Sequence, residues 1–173
     1  MRFLILLFTA FFLNACAPIH VNYDFDKAVN FNNYKTYNYY ADMETGLSEL
    51  DTRRFLEALD AKLKAKGLVL ADTPDFFIDI KSREYQEVAH NNVGVGLGGS
   101  GRNMGGGLSI GIPVGQSKVN RRITIDFVDH SKNQLFWQAV SDYGFNPNAQ
   151  PEQREAKFSA VAEKILSKYP PKP

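Results

Sequence analysis

The chain has 173 residues, 44% hydrophobic and 13% aromatic, and its 20 Lys plus Arg against 19 Asp plus Glu leave a formal net charge of +1. A charge this close to zero excludes a global field that would gather nucleic acid or an anionic surface, and a single cysteine excludes an internal disulfide framework. The length suffices for one well-packed core and falls short of two, so one domain is expected.

The first segment is read as a targeting signal. Arg2 is a short basic start, and the apolar stretch from Phe3 to Leu13 ends in small residues, the pattern of a secretory signal peptide over residues 1–15. About eleven residues rise only roughly 16 Å as a helix, whereas a bilayer core of about 30 Å needs about 20, so export and removal are expected rather than spanning. Leu13-Asn14-Ala15-Cys16 resembles the bacterial lipobox, in which the cysteine is diacylated and becomes the new N-terminus. Asn14 departs mildly from the small residue usual there. Cys16 has no partner thiol, so lipidation is its expected role and residues 16–173 are the expected mature domain. The resemblance implies three acyl chains, and at about 0.8 kcal/mol per buried methylene such an anchor is effectively permanent. Ala17 stands where an aspartate would resemble an inner-membrane retention signal, which directs the expectation to the outer membrane, facing the periplasm.

The domain begins with IHVNYDF, residues 19–25, in which Ile19, Val21, Tyr23 and Phe25 alternate with His20, Asn22 and Asp24. Period two predicts a strand with one wet face. After a turn rich in Asn and Asp, FNNYKTYNYY from Phe31 to Tyr40 predicts a second strand, five of its ten residues being aromatic. Tyr34, Tyr37, Tyr39 and Tyr40 are candidates to stack on a sugar or peptide, although such residues are more often cross-strand packing pairs, and core packing is the favoured expectation. Next, Phe55, Leu56, Leu59 and Leu63 recur at spacings of three and four, an amphipathic helix capped by Ser48 or Asp51 and closed by Gly67. Lys62, Lys64 and Lys66 near its last turn complement the helix dipole.

Thr73-Pro74-Asp75 marks a turn before a third strand over 76–85, where Phe77 breaks strict alternation and predicts partial cover on the second face. RITIDFV (122–128) and QLFWQAV (134–140) predict a hairpin closed by a connection from Asp129 to Asn133, with Trp137 in the core. Pro151-Glu152 opens a last helix striped by Phe158, Val161, Ala162, Ile165 and Leu166. This order of elements excludes a doubly wound parallel sheet. It predicts an α+β fold, an antiparallel β-sheet with two α-helices packed on one face and a glycine-rich hairpin insert over 93–115. Phe55, Leu59, Leu63, Trp137, Phe158, Val161 and Ile165 are the predicted core.

The insert reads VGVGLGGSGRNMGGGLSIGIPVG and holds most of the chain's glycines. Gly94, Gly96 and Gly99 satisfy GxGxxG, but no helix is predicted to follow and present its N-terminus to a pyrophosphate. A plain glycine-rich loop is one reading. The other, which is the expectation, pairs Val93–Leu97 with Leu108–Val114 around a tip at 100–107. A bare glycine face lets another surface approach closely, so Val95, Leu97, Ile110 and Ile112 are candidate partner-binding residues beside Tyr34, Tyr37 and Tyr39.

No catalytic constellation emerges. His20, His90 and His130 are not at metal-ligand spacing, no G-x-S-x-G elbow exists, and Asp126, Asp129 and His130 sit at a strand end and turn where local hydrogen bonds account for them. Asp24 with Asp26 and Glu49 with Asp51 have turn and cap readings beside an acid–base one. No metal and no cofactor are expected. In its Asp24-Phe25, Tyr34-Lys35-Thr36-Tyr37, Leu135-Phe136-Trp137 and Tyr169-Pro170-Pro171 segments the chain resembles the bacterial lipoprotein family called domain of unknown function 4136. That family has no established activity, so the resemblance implies no catalytic residues. The expected function is a membrane-anchored, non-enzymatic binding or structural module of the cell envelope, with an envelope protein partner and no nucleic acid. The rival expectation is a periplasmic glycan- or peptidoglycan-acting hydrolase or sugar-binding protein, which two convergent carboxylates in a pocket beside Tyr37 or Tyr39 would mark.

Overall fold

The computed structural model describes residues 18–87, 92–94, 111–113 and 118–171. Cys16 and the predicted signal segment over 1–15 lie outside them. The first strand, β1 (His20–Phe25), is followed by a single 3-10 turn at Phe31–Asn33 and then by β2 (Thr36–Tyr39). The predicted strand over 31–40 is thus divided. Asn30 accepts from the Asn32 amide through its side chain, at 3.1 Å, and this local bond favours a turn over an extended chain.

Helix α1 (Glu49–Ala65) is capped by Ser48, whose Oγ accepts from the Asp51 amide at 3.3 Å. It ends in a Schellman motif: the Leu68 amide reaches Leu63 O at 3.1 Å, the Gly67 amide reaches Lys64 O at 2.9 Å, and Gly67 takes φ +83°. Then come β3 (Val69–Leu70), β4 (Phe76–Glu87), β5 (Asn92–Gly94), β6 (Gly111–Pro113), β7 (Lys118–Asp129), β8 (Gln134–Gly144) and α2 (Pro151–Leu166).

Six strands form one sheet in the order β1-β8-β7-β4-β2-β3. The contacts β1/β8, β8/β7 and β7/β4 are antiparallel, while β2 runs parallel to both β3 and β4. The sheet of this α+β fold is therefore mixed rather than purely antiparallel. The cause is α1, which carries the chain from the end of β2 back to its start, so that the strands after the helix run in the direction of β2.

Both helices cover one face. Phe55, Leu59 and Leu63 of α1, Phe158, Val161 and Ile165 of α2, and Trp137 of β8 are all buried, as predicted. Beneath them β4 and β7 contribute Phe76, Ile78, Ile80, Ile123, Ile125 and Phe127 at alternate positions. The two helices run side by side in the same direction. Asp51 meets Arg154, Phe55 meets Phe158 at 5.4 Å between ring centroids, and Lys62 meets Glu163 at 2.8 Å.

The edge of β4 beyond β2 is covered by the loop leading into α1. Tyr40 N donates to Ile78 O, Ile80 N to Met43 Sδ at 3.2 Å, and Ser82 N to Thr45 O at 2.7 Å. Gly46 closes this loop at φ +68°, where a Cβ would collide with the Ser82 carbonyl oxygen. Between β4 and β7 in the chain, β5 and β6 form a separate antiparallel pair with Val93 opposite Ile112. The two arms of the predicted hairpin insert meet in this short ladder, while Val95, Leu97, Ile110 and the 100–107 tip lie outside the described residues.

Candidate functional site

Because α1 and α2 are parallel, their first turns lie at the same end of the sheet. Like helix ends side by side place two partial positive charges together, and a carboxylate between them offsets the repulsion. Asp51 fills that role. It is 2% exposed and accepts from Arg154 Nη1 at 2.7 Å and Arg54 Nη1 at 3.0 Å, with Arg121 Nη1 at 3.7 Å.

Arg121 comes from β7 at the same register as Ile123, Ile125 and Phe127, so it points under the helices and is only 4% exposed. Its Nη2 donates to Glu84 of the neighbouring β4. Its guanidinium carbon stands 3.7 Å from the Phe145 ring centroid, and that of Arg154 stands 5.8 Å from the same ring. Arg154 also donates to the carbonyls of Pro147 and Ala149, fixing the segment between β8 and α2 around the ring.

A cleft of about 480 Å³ opens beside this network, lined by the Asp51, Arg121, Arg154 and Lys157 side chains together with Tyr143, Phe145 and Phe158. A second hollow of about 520 Å³ shares Asp51, Arg121, Phe145 and Arg154 and extends towards Gly46, Ser48 and Glu84. Burial pushes the Tyr143 hydroxyl up to about 12, against the opposing pull of Arg121, so it remains a neutral donor at physiological pH. Each carboxylate here is committed to an arginine, and the aromatic walls supply flat apolar surface. Such a site can hold an anionic or amphipathic group.

The sequence candidates are placed elsewhere. Tyr34 and Tyr37 are 7% and 2% exposed and belong to the core. Tyr34 stacks on Phe136 at 4.1 Å between centroids and donates to Asp129 Oδ2 at 2.7 Å. Tyr37 and Tyr39 both donate to Asp60 Oδ1, at 2.8 and 2.7 Å, so they converge on a single carboxylate. All three phenols are raised, first by burial and then by their carboxylate partners. Burial would also raise Asp129, but the hydroxyls of Tyr34 and Ser131 and the Lys132 amide outweigh it and hold the carboxyl at about 2. Its neighbour His130 packs edge-on against Phe77 at 5.1 Å. Asp24 and Asp26 bond the amides of Phe25 and Ala28 at 2.8 Å each, as turn residues do.

Among the described residues, the tyrosines and the β5–β6 ladder of the insert are not brought together. The β2 strand pairs with residues 76–78 at the start of β4, whereas β5 and β6 contact each other and no other described element. Sequence reasoning missed the cleft because it began the seventh strand at Arg122. One residue earlier, the alternation Arg121, Ile123, Ile125, Phe127 places an arginine on the apolar register, and that was the available signal.

The sequence profile of the family described as Domain of unknown function (DUF4136) matches residues 21–171. The chain belongs to this family. No curated protein matches it. Among solved structures it is similar to a PDZ domain protein from Parabacteroides distasonis ATCC 8503, with 13% identity, a TM-score of 0.59, and 96% of this chain aligned to 40% of that one. The chain thus spans 40% of that protein's length, and the likeness is one of fold. It also resembles the PelC dodecamer protein from Paraburkholderia phytofirmans, with 10% identity, a TM-score of 0.47, and coverage of 87% of this chain and 96% of that one.

Proposed function

We propose that this DUF4136 protein is a lipid-anchored lipoprotein of the bacterial cell envelope. Cys16 is the attachment point, the outer membrane the site of anchoring, and the domain a non-enzymatic binding module. The observation that carries the binding role is the cleft at the first turns of α1 and α2, where Arg121, Arg154 and Lys157 stand beside Phe145 and Phe158. Its carboxylates are held in ion pairs, Asp51 with Arg54 and Arg154 and Glu84 with Arg121. That commitment suits a rigid recognition surface better than proton transfer.

Two experiments test the proposal. Metabolic labelling with a fatty-acid analogue is expected to label the wild type and spare Cys16→Ser, while an unlabelled wild type would refute the anchor. A photoreactive amino acid at position 157 is expected to capture an envelope component in intact cells, and the absence of any adduct above background would refute the cleft as the binding surface.

A further inference from the structure

Building on the binding-module reading, we propose that the cleft is a carboxylate-binding site. In it Arg121, Arg154 and Lys157 receive the carboxylate, and the Phe145 and Phe158 rings receive an apolar group next to it. Arg121 is 4% exposed and lines the cleft, yet its Nε and Nη1 make no hydrogen bond. Its Nη1 stands 3.7 Å from Asp51 Oδ2, and Nε has no partner among the described residues. Buried guanidinium donors left in that state are costly, and a turn of the side chain towards the cleft would present them to a ligand oxygen.

The charge count sets the valence of the ligand. Three cations and one carboxylate, Asp51, line the cleft. Glu84 takes the Nη2 edge of Arg121, and Arg54, which shares Asp51, is matched by Glu155 at 3.7 Å, leaving a surplus of one positive charge. A monoanion matches that surplus, whereas a phosphate dianion exceeds it. The first turns of two parallel helices add partial positive charge at the same end. Phe145, already under two guanidinium groups, and Phe158 leave an apolar wall, so the fitting ligand is a carboxylate beside a hydrophobic or aromatic group.

The test uses the full-length chain in non-ionic detergent, with N-acetyl-L-phenylalanine as the probe. N-acetyl-L-phenylalaninamide is the uncharged control, and inorganic phosphate the control for bare charge. Calorimetry is expected to give a Kd at or below about 1 mM for the acid and at least about tenfold weaker binding for the amide and phosphate. In NMR the Arg121 Nε–H resonance is expected to move with the acid alone. Arg121→Lys should weaken binding of the acid about tenfold. Should that variant fail to fold, Lys157→Ala at the rim replaces it, with a smaller loss in the same direction. Equal affinity for acid and amide, tighter binding of phosphate, or an unmoved Arg121 resonance would overturn the inference. Crosslinking from position 157 separates this failure from that of the wider reading. An envelope adduct together with no binding of the acid refutes the carboxylate and leaves the module standing, and no adduct and no binding refute both. The mass of an adduct that forms tells a free small carboxylate from a polypeptide bearing one.

Discussion

The helix pair covers two unlike ends of one sheet face. At one end Phe127, Phe136, Trp137 and Tyr169 interlock, with Trp137 4.6 Å from Phe127 and 5.3 Å from Tyr169 between centroids. Every ring there is buried, Trp137 Nε1 and the Tyr169 hydroxyl make no hydrogen bond among the described residues, and a smaller hollow of about 260 Å³ lies beside Phe25, Phe136 and Trp137. At the other end the same helices straddle Asp51, Arg121 and Arg154, and a cleft of about 480 Å³ remains. The difference teaches that this fold concentrates aromatic packing where α2 ends and keeps buried ion pairs and the larger cleft where both helices begin. A binding role is assigned to the second end because its larger cleft is lined by Arg121, Arg154 and Lys157, whereas the hollow at the aromatic end is lined by Asp24 and Asp26 and by no cation among the described residues.

Truncation at the aromatic end should cost the most. Trp137→Ala is expected to lower unfolding free energy by about 3 to 5 kcal/mol in urea titration, with N-acetyl-L-phenylalanine binding retained in the folded fraction. At the charged end Asp51→Asn removes the carboxylate shared by Arg54, Arg154 and Arg121. It should cost about 3 kcal/mol, since a buried cation loses its partner, and should tighten binding of the same acid because the positive surplus grows. Equal effects of the two substitutions on binding would erase the distinction between the ends.

A smaller cost is expected at Gly46, which seats the loop beside the charged end. Gly46→Ala meets both a positive φ and the Ser82 carbonyl, and about 2 to 3 kcal/mol should be lost in thermal unfolding. The smallest effect is the acid limb at the aromatic end. The Asp129 carboxyl is held at about 2 in the folded chain, below the unfolded value of about 3.9. The folded state therefore resists protonation. The stability this contributes is present above about pH 4 and is lost as pH falls towards 2. Asp129→Asn should flatten that part of the stability profile by about 1 to 2 kcal/mol, and an unchanged acid limb would contradict the Tyr34–Asp129 hydrogen bond.

Much of the first end was legible in the sequence. Phe55, Leu59 and Leu63 at helical spacing, and Trp137 on an alternating strand, are patterns that burial imposes directly. The second end was not. Asp51 satisfied the pattern of a helix-cap residue, so its role as a shared counter-ion depended on α2 lying parallel to α1, which no local pattern encodes. The parallel β2 and two-residue β3 were equally hidden, because strand direction follows from the path of the connection rather than from alternation. For Tyr34 and Tyr37 core packing was the favoured reading over ligand stacking, and both rings are buried, Tyr37 on β2 inside the sheet and Tyr34 stacked on Phe136.

The central claim, that the end where the helices begin is the binding end, is tested most directly by paired photocrosslinking in intact cells. One variant carries the photoreactive residue in place of Lys157, at the mouth of the cleft, and the other carries it in place of Lys168, exposed beside the buried Tyr169. The account predicts a discrete adduct from position 157, diminished by excess N-acetyl-L-phenylalanine, and none from position 168. An adduct from position 168 alone would contradict it.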